Sequence, residues 1–171
     1  MHITDLLPAE KWAELEKELH EQFGVNCAVN DASGARVSGR AFWGNALCPR
    51  IQGHKPAAGM ICSPLSQYIM RELAENGEPV VEQCDAGMTK FAVPVVVKGE
   101  LLGAVGCCGC LLENDGEADE IEAFLVSKAL GVGDEETAEL CRTVPVVEAA
   151  RGREIVAEIT RRVAEIVQNA G

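Results

Sequence analysis

Eight cysteines in a chain of 171 residues are the feature of this sequence best equipped to do chemistry. Thiolates are nucleophiles, redox groups and soft metal ligands. The opening Met1-His2-Ile3-Thr4-Asp5 lacks the basic-then-apolar pattern of a secretion signal. No apolar run reaches the ~18–20 residues of a membrane helix. The chain therefore reads as cytoplasmic, where disulfides are rare. That leaves inert core thiols, redox thiols or metal ligands.

Position separates them. Cys48 falls in an irregular stretch, Cys62 at a helix start and Cys84 at a strand end. Thiols at breaks between elements can converge on one pocket, whereas inert cysteines sit inside elements on apolar faces. No CxxC pair links these three, so spacing alone is not diagnostic. Gly106-Cys107-Cys108-Gly109-Cys110 contains a formal CxxC, but it falls within a strand. Strand alternation then predicts Cys108 and Cys110 on one face and Cys107 on the other. The competing reading of this run is that small residues serve close packing, with Gly103, Gly106 and Gly109 marking bulges or close approach. Cys27 and Cys141 read as packing groups. His54 follows Cys48 by six residues and is a candidate for the same pocket, as are Asp85 and Met88 beside Cys84. The alternatives are a plain loop histidine and, for Asp85, a turn residue. His2 and His20 read as solvent-exposed.

The elements that must position these groups are punctuated clearly. Residues 8–22 carry Trp12, Leu15 and Leu19 at helical spacing and stop at Gly24. Val25–Asn30 predicts a strand, and Ala35–Ser38 a short return strand after the Asp31-Ala32-Ser33-Gly34 turn. Residues 39–55 look irregular. A helix follows over 57–76, starting at about Ser63 because of Pro64. Three strands come next: from Val80, from Phe91 to Lys98, and from Leu101 to Leu112. Lys98-Gly99-Glu100 makes the tight turn between the last two. Helices over Glu120–Leu130 and Asp134–Cys141 precede a final one over about Val147–Gln168, striped with Ile155, Val156, Ile159, Val163, Ile166 and Val167. This order predicts an α+β fold: a central antiparallel sheet of about five strands flanked by helices, with a long C-terminal helix. Residues 1–145 form the expected domain, and 146–171 a helix that packs on it, on a second copy in a homodimer, or on both.

The net charge of −12, from 15 basic and 27 acidic residues, disfavours direct nucleic-acid or membrane binding. Nucleotide-binding, zinc-protease and serine-hydrolase motifs are missing from the sequence.

The run Cys84-Asp85-Ala86-Gly87-Met88, followed by Phe91-Ala92-Val93-Pro94-Val95-Val96-Val97-Lys98-Gly99-Glu100-Leu101-Leu102-Gly103, resembles the core signature of PocR-type sensory domains. Leu47-Cys48-Pro49-Arg50-Ile51 and Cys62-Ser63 resemble two further family segments. The resemblance covers roughly residues 8–130. It implies a PAS/GAF-like sensor fold that binds small molecules such as simple hydrocarbon derivatives and passes a signal to a separate output region. Asp85 stands where the family often has histidine. Cys108 and Cys110 stand where it often has Gly and Gln, which raises the soft-ligand count from three to as many as five.

Three readings follow. The first is a sensory domain whose pocket holds an iron–sulfur cluster or zinc through Cys48, Cys62, Cys84 and one or both of Cys108 and Cys110. The second is a sensor of a small organic molecule, with the cysteines structural. Neither is an enzyme. The third is a thiol oxidoreductase on a GAF-like scaffold, for which His54 is the only candidate proton partner.

Overall fold

The structure, a computed structural model, describes residues 1–170. Among them are eight helices and six strands. A short α1 (Ile3–Leu6) leads into α2 (Ala9–Phe23), which ends where Gly24 takes a left-handed conformation and returns its N–H to the His20 carbonyl. Then come β1 (Asn26–Asp31), α3 (Leu47–Gln52), α4 (Lys55–Ile61), α5 (Ser63–Asn76), β2 (Val80–Gln83), β3 (Thr89–Val97) and β4 (Glu100–Asn114). The chain closes with β5 (Glu117–Ala118), α6 (Ala123–Leu130), α7 (Asp134–Arg142), β6 (Val146–Glu148) and α8 (Ala149–Asn169).

The antiparallel strands run in the order β1-β4-β3-β2, so the fold is α+β as the periodicity predicts. Lys98 and Gly99 both have positive φ, the conformation a two-residue turn needs to match the twist of β3 and β4. β4 is long enough to hold two more short strands at its far end, β5 antiparallel and β6 parallel.

One face of the sheet is closed by α2 and α8. Trp12, Leu15, Leu19, Ile155 and Ile159 meet Val29, Phe91, Val93, Val95 and Val105 there, all buried. A buried side chain of this size contributes about 1.5–3 kcal/mol. The apolar stripe of the last helix is thus spent largely on its own sheet. On the other face α5 covers Ala92 and Ala104 with Ile69 and Leu73. A separate cluster joins α3, α4 and α6 through Leu47, Ile51, Ile61 and Val126.

Three local expectations change. The return strand at 35–38 shrinks to one bridge, Asn30 to Arg36, flanked by the Val37 N–H on the Val29 carbonyl and the Asp31 N–H on the Ala35 carbonyl. Asp31 Oδ1 draws in the Ser33 and Ala35 amides, and Ser38 turns inward to Glu16. The irregular stretch contains α3, since Asn45 Oδ1 accepts the Cys48 N–H and Pro49 lies in the first turn, where its missing N–H costs nothing. The final helix begins at Ala149, because Val146–Glu148 pairs with Leu111–Glu113.

Candidate functional site

Side chains alternate along β1, so Cys27 and Val29 enter the core beneath α2 while Asn26, Ala28 and Asn30 face the other way. On that other face the sheet and α3–α5 enclose a cavity of about 450 Å³. Lys90 of β3 and Gly106, Cys108 and Gly109 of β4 complete its floor. Cys48, Ile51, Ile61 and Cys62 form the helical wall, with Cys84 and Met88 at one side and Arg36 and Trp43 at another. Four cysteines from distant parts of the chain therefore face one space.

Their surroundings suit sulfur that carries negative charge. Asn45 Nδ2 lies 3.4 Å from Cys48 Sγ and also donates to the Gly109 carbonyl at 3.0 Å. Asn26 Nδ2 lies 3.8 Å from Cys108 Sγ, its Oδ1 held by the Gly44 N–H. Burial raises the Cys84 pKa, and the neighbouring Met88, Ala86 and Gly87 backbone amides oppose it. Such N–H groups favour the thiolate. Met88 Sδ lies 3.7 Å from Cys48 Sγ. Lys90 donates to Ser66 Oγ at 3.3 Å, and its charge favours the Cys62 thiolate.

Burial still wins. It pushes Cys48 up to about 12, aided by a neighbouring Cys108 charge, and Cys62 up to about 11. The folded protein thus holds thiol protons that the unfolded chain releases near 9.0. Stability of the domain should be full below that value and fall as pH rises through it, by at most about 1.4 kcal/mol per buried thiol per pH unit. Urea midpoints measured on either side of pH 9 check this.

Of the residues expected here, Cys48, Cys62, Cys84, Cys108 and Met88 line the cavity. Cys110 does not. Thr89 pairs with Cys110 but Lys90 pairs with Cys108, so Gly109 is an extra residue in β4, with φ of 78°. This bulge resets the alternation and sends Cys110 into the α2–α8 core beside Cys107. The expected Cys108/Cys110 pair is thereby split. His54 lies outside the cavity lining: it is exposed and caps α4, its Nδ1 accepting the Ala57 N–H. Asp85 sits exposed in the turn, also outside the lining. Among the described residues no three His, Cys, Asp or Glu side chains are grouped tightly enough to hold a single metal ion.

The sequence reading missed Asn26, Asn45 and Lys90, whereas Gly109 is one of the three glycines it offered as bulges or close approaches, and the bulge is there. Asn45 could have been found as a capping residue three positions before Cys48. Asn26 and Lys90 carry no local signal, since only pairing with Cys108 from both sides brings them to the site.

No helix among the described residues is long and apolar enough to cross a membrane. No solved structure matches the chain. "Regulatory protein PocR" of Salmonella typhimurium strain LT2 is 39% identical over 111 residues, which is 65% of this chain and 36% of that protein. The chain thus spans about a third of the length of this curated relative. The family described as the sensory domain found in PocR matches residues 5–171. With that match spanning nearly its whole length, the chain belongs to the family of sensory domains found in PocR.

Proposed function

We propose that this sensory domain signals through an iron–sulfur cluster held by Cys48, Cys62, Cys84 and Cys108. The observation that carries the reading is the convergence of these four thiols on one cavity, with the Asn45 and Asn26 side-chain amides beside the Cys48 and Cys108 sulfurs. Bonds of about 2.3 Å around one zinc ion require four sulfurs drawn close together. An iron–sulfur cluster brings its own bridging sulfides and is held by four such thiolates. Loading displaces protons from whichever thiols are still protonated, so it is favoured as pH rises. Loss or redox change of the cluster would shift α3–α5 against the sheet, and an output region would read that change. The oxidoreductase alternative loses its proton partner, because His54 is engaged as a helix cap.

The second reading is an organic ligand. A cavity of about 450 Å³ lies within the ~300–1,000 Å³ common for small-molecule sites, and Trp43, Leu65 and Met70 offer it an apolar wall.

Protein purified without oxygen and reconstituted with iron and sulfide separates the two. The expected result is stoichiometric iron and sulfide with visible charge-transfer absorption. Cys108→Ser should lose both, while Cys110→Ser keeps them. A folded protein that takes up no iron, yet melts at higher temperature with small alcohols or aldehydes, rejects the cluster in favour of the organic ligand.

A further inference from the structure

Behind the cavity floor, on the opposite face of the sheet, lies a second pair of thiols that the site does not use. Cys27 of β1 and Cys107 of β4 are directly opposed partners, and their sulfurs stand 2.8 Å apart. They are 2% and 1% exposed. Directly opposed residues of antiparallel strands have Cα atoms about 4.5 or 5.5 Å apart. Both values fall within the ~4.4–6.8 Å that a disulfide spans. The sulfurs need to close by less than about 1 Å to reach bonding distance. Apart from each other, their nearest polar contact is the Val25 carbonyl, 3.7 Å from Cys27 Sγ. Helices α2 and α8 seal the pair from solvent.

We propose that Cys27 and Cys107 form a dithiol–disulfide site that a small neutral peroxide oxidises in the folded protein. One thiol attacks hydrogen peroxide, becoming a sulfenic acid and releasing water. The partner sulfur then displaces the sulfenic hydroxyl, which leaves with the partner's proton as a second water. Two thiols and one peroxide give one disulfide and two waters, so two electrons pass from sulfur to peroxide. Burial excludes bulky disulfide reagents, so the oxidant must be small and neutral and must reach the pair through local opening of the core. The bond staples β1 to β4 one residue from Asn26 and Cys108, which are themselves cross-strand partners facing the cavity. Oxidation on the back of the sheet thereby stiffens the floor of the sensory cavity. The inference is independent of what occupies that cavity.

Peptide mapping tests it. Reduced, folded protein is exposed to hydrogen peroxide, denatured, alkylated and digested with trypsin. Cys27 is the only cysteine of the peptide Glu18–Arg36, whereas Cys107, Cys108 and Cys110 share Gly99–Lys128. The expected product joins these two peptides, survives in Cys108→Ser and is lost in Cys107→Ala. Fragmentation of the wild-type product should assign the link to Cys107, a readout that needs no variant. The oxidised protein should melt at higher temperature than the reduced one, and reductant should reverse the change. Recovery of Cys27 fully alkylated, or a link assigned to Cys108 or Cys110, overturns the proposal.

Discussion

Replacing Gly109 with alanine should cost of the order of 3–5 kcal/mol in folding stability and abolish loading of the cavity. Its φ of 78° places a non-glycine residue in a region costing about 1–2 kcal/mol. A methyl group there would also run into the Asn26 amide and stand 2.8 Å from Asn45 Nδ2. Pushing those amides aside breaks the bonds by which Asn45 holds the Gly109 carbonyl and the Cys48 sulfur, and disturbs Asn26 beside Cys108. Each buried polar group left unsatisfied adds about 1–3 kcal/mol. The strand could escape strain by losing the bulge, but a one-residue slip sends every following side chain to the opposite face. Cys110 would then turn toward the cavity and leave a gap beneath α8. Urea denaturation measures the stability loss, and iron content after reconstitution measures loading. A near-wild-type midpoint would show that the bulge does not set the site.

Glu16→Ala should also destabilise the protein by about 3–5 kcal/mol, while Glu16→Gln should change stability little near neutral pH. Glu16 is fully buried on α2, where its carboxylate accepts the Val29 N–H at 2.7 Å and the Ser38 hydroxyl. Alanine leaves both donors buried without acceptors, at about 1–3 kcal/mol each, and opens a void. Glutamine keeps an acceptor for Val29 and offers an amide to the Ser38 oxygen. The sign of the pH effect follows from burial, which raises the Glu16 pKa above 4.5 against the pull of Ser38, Val29 and Arg36. The folded state then holds its proton longer than the unfolded chain. The stability this group contributes is complete below 4.5 and is lost as pH rises through the folded value. Glu16→Gln should remove that decline, as urea midpoints on either side of pH 4.5 would show. The alanine variant should also loosen the segment carrying Arg36 and Trp43, which lines the cavity. Hydrogen exchange at Val29 should rise in Glu16→Ala and stay low in Glu16→Gln.

The fold was largely legible because its signals are local. The period of α2, the Lys98-Gly99 turn and the stripe of α8 depend on neighbours a few residues away. The short β6 was not legible, because three residues carry no period and their pairing with β4 is a distant event. Helix α3 was hidden by glycines and a proline that read as loop, although its proline occupies a tolerated first-turn position. His54 and Asp85 looked close to the site in sequence, but chain proximity does not set side-chain direction.

Cys48, Cys62 and Cys84 stand out in the sequence as thiols at element breaks, and the structure sets all three on one cavity. The sequence also determined the family, through the run from Cys84 to Gly103. Which cysteine of the 107–110 run joins them depends on long-range strand pairing. Alternation is a local rule, and the bulge at Gly109 that breaks it is set by pairing with β3 and by the Asn26 and Asn45 side chains packed against that glycine. The same long-range register placed Cys27 against Cys107, two thiols 80 residues apart that nothing in their local sequence connects.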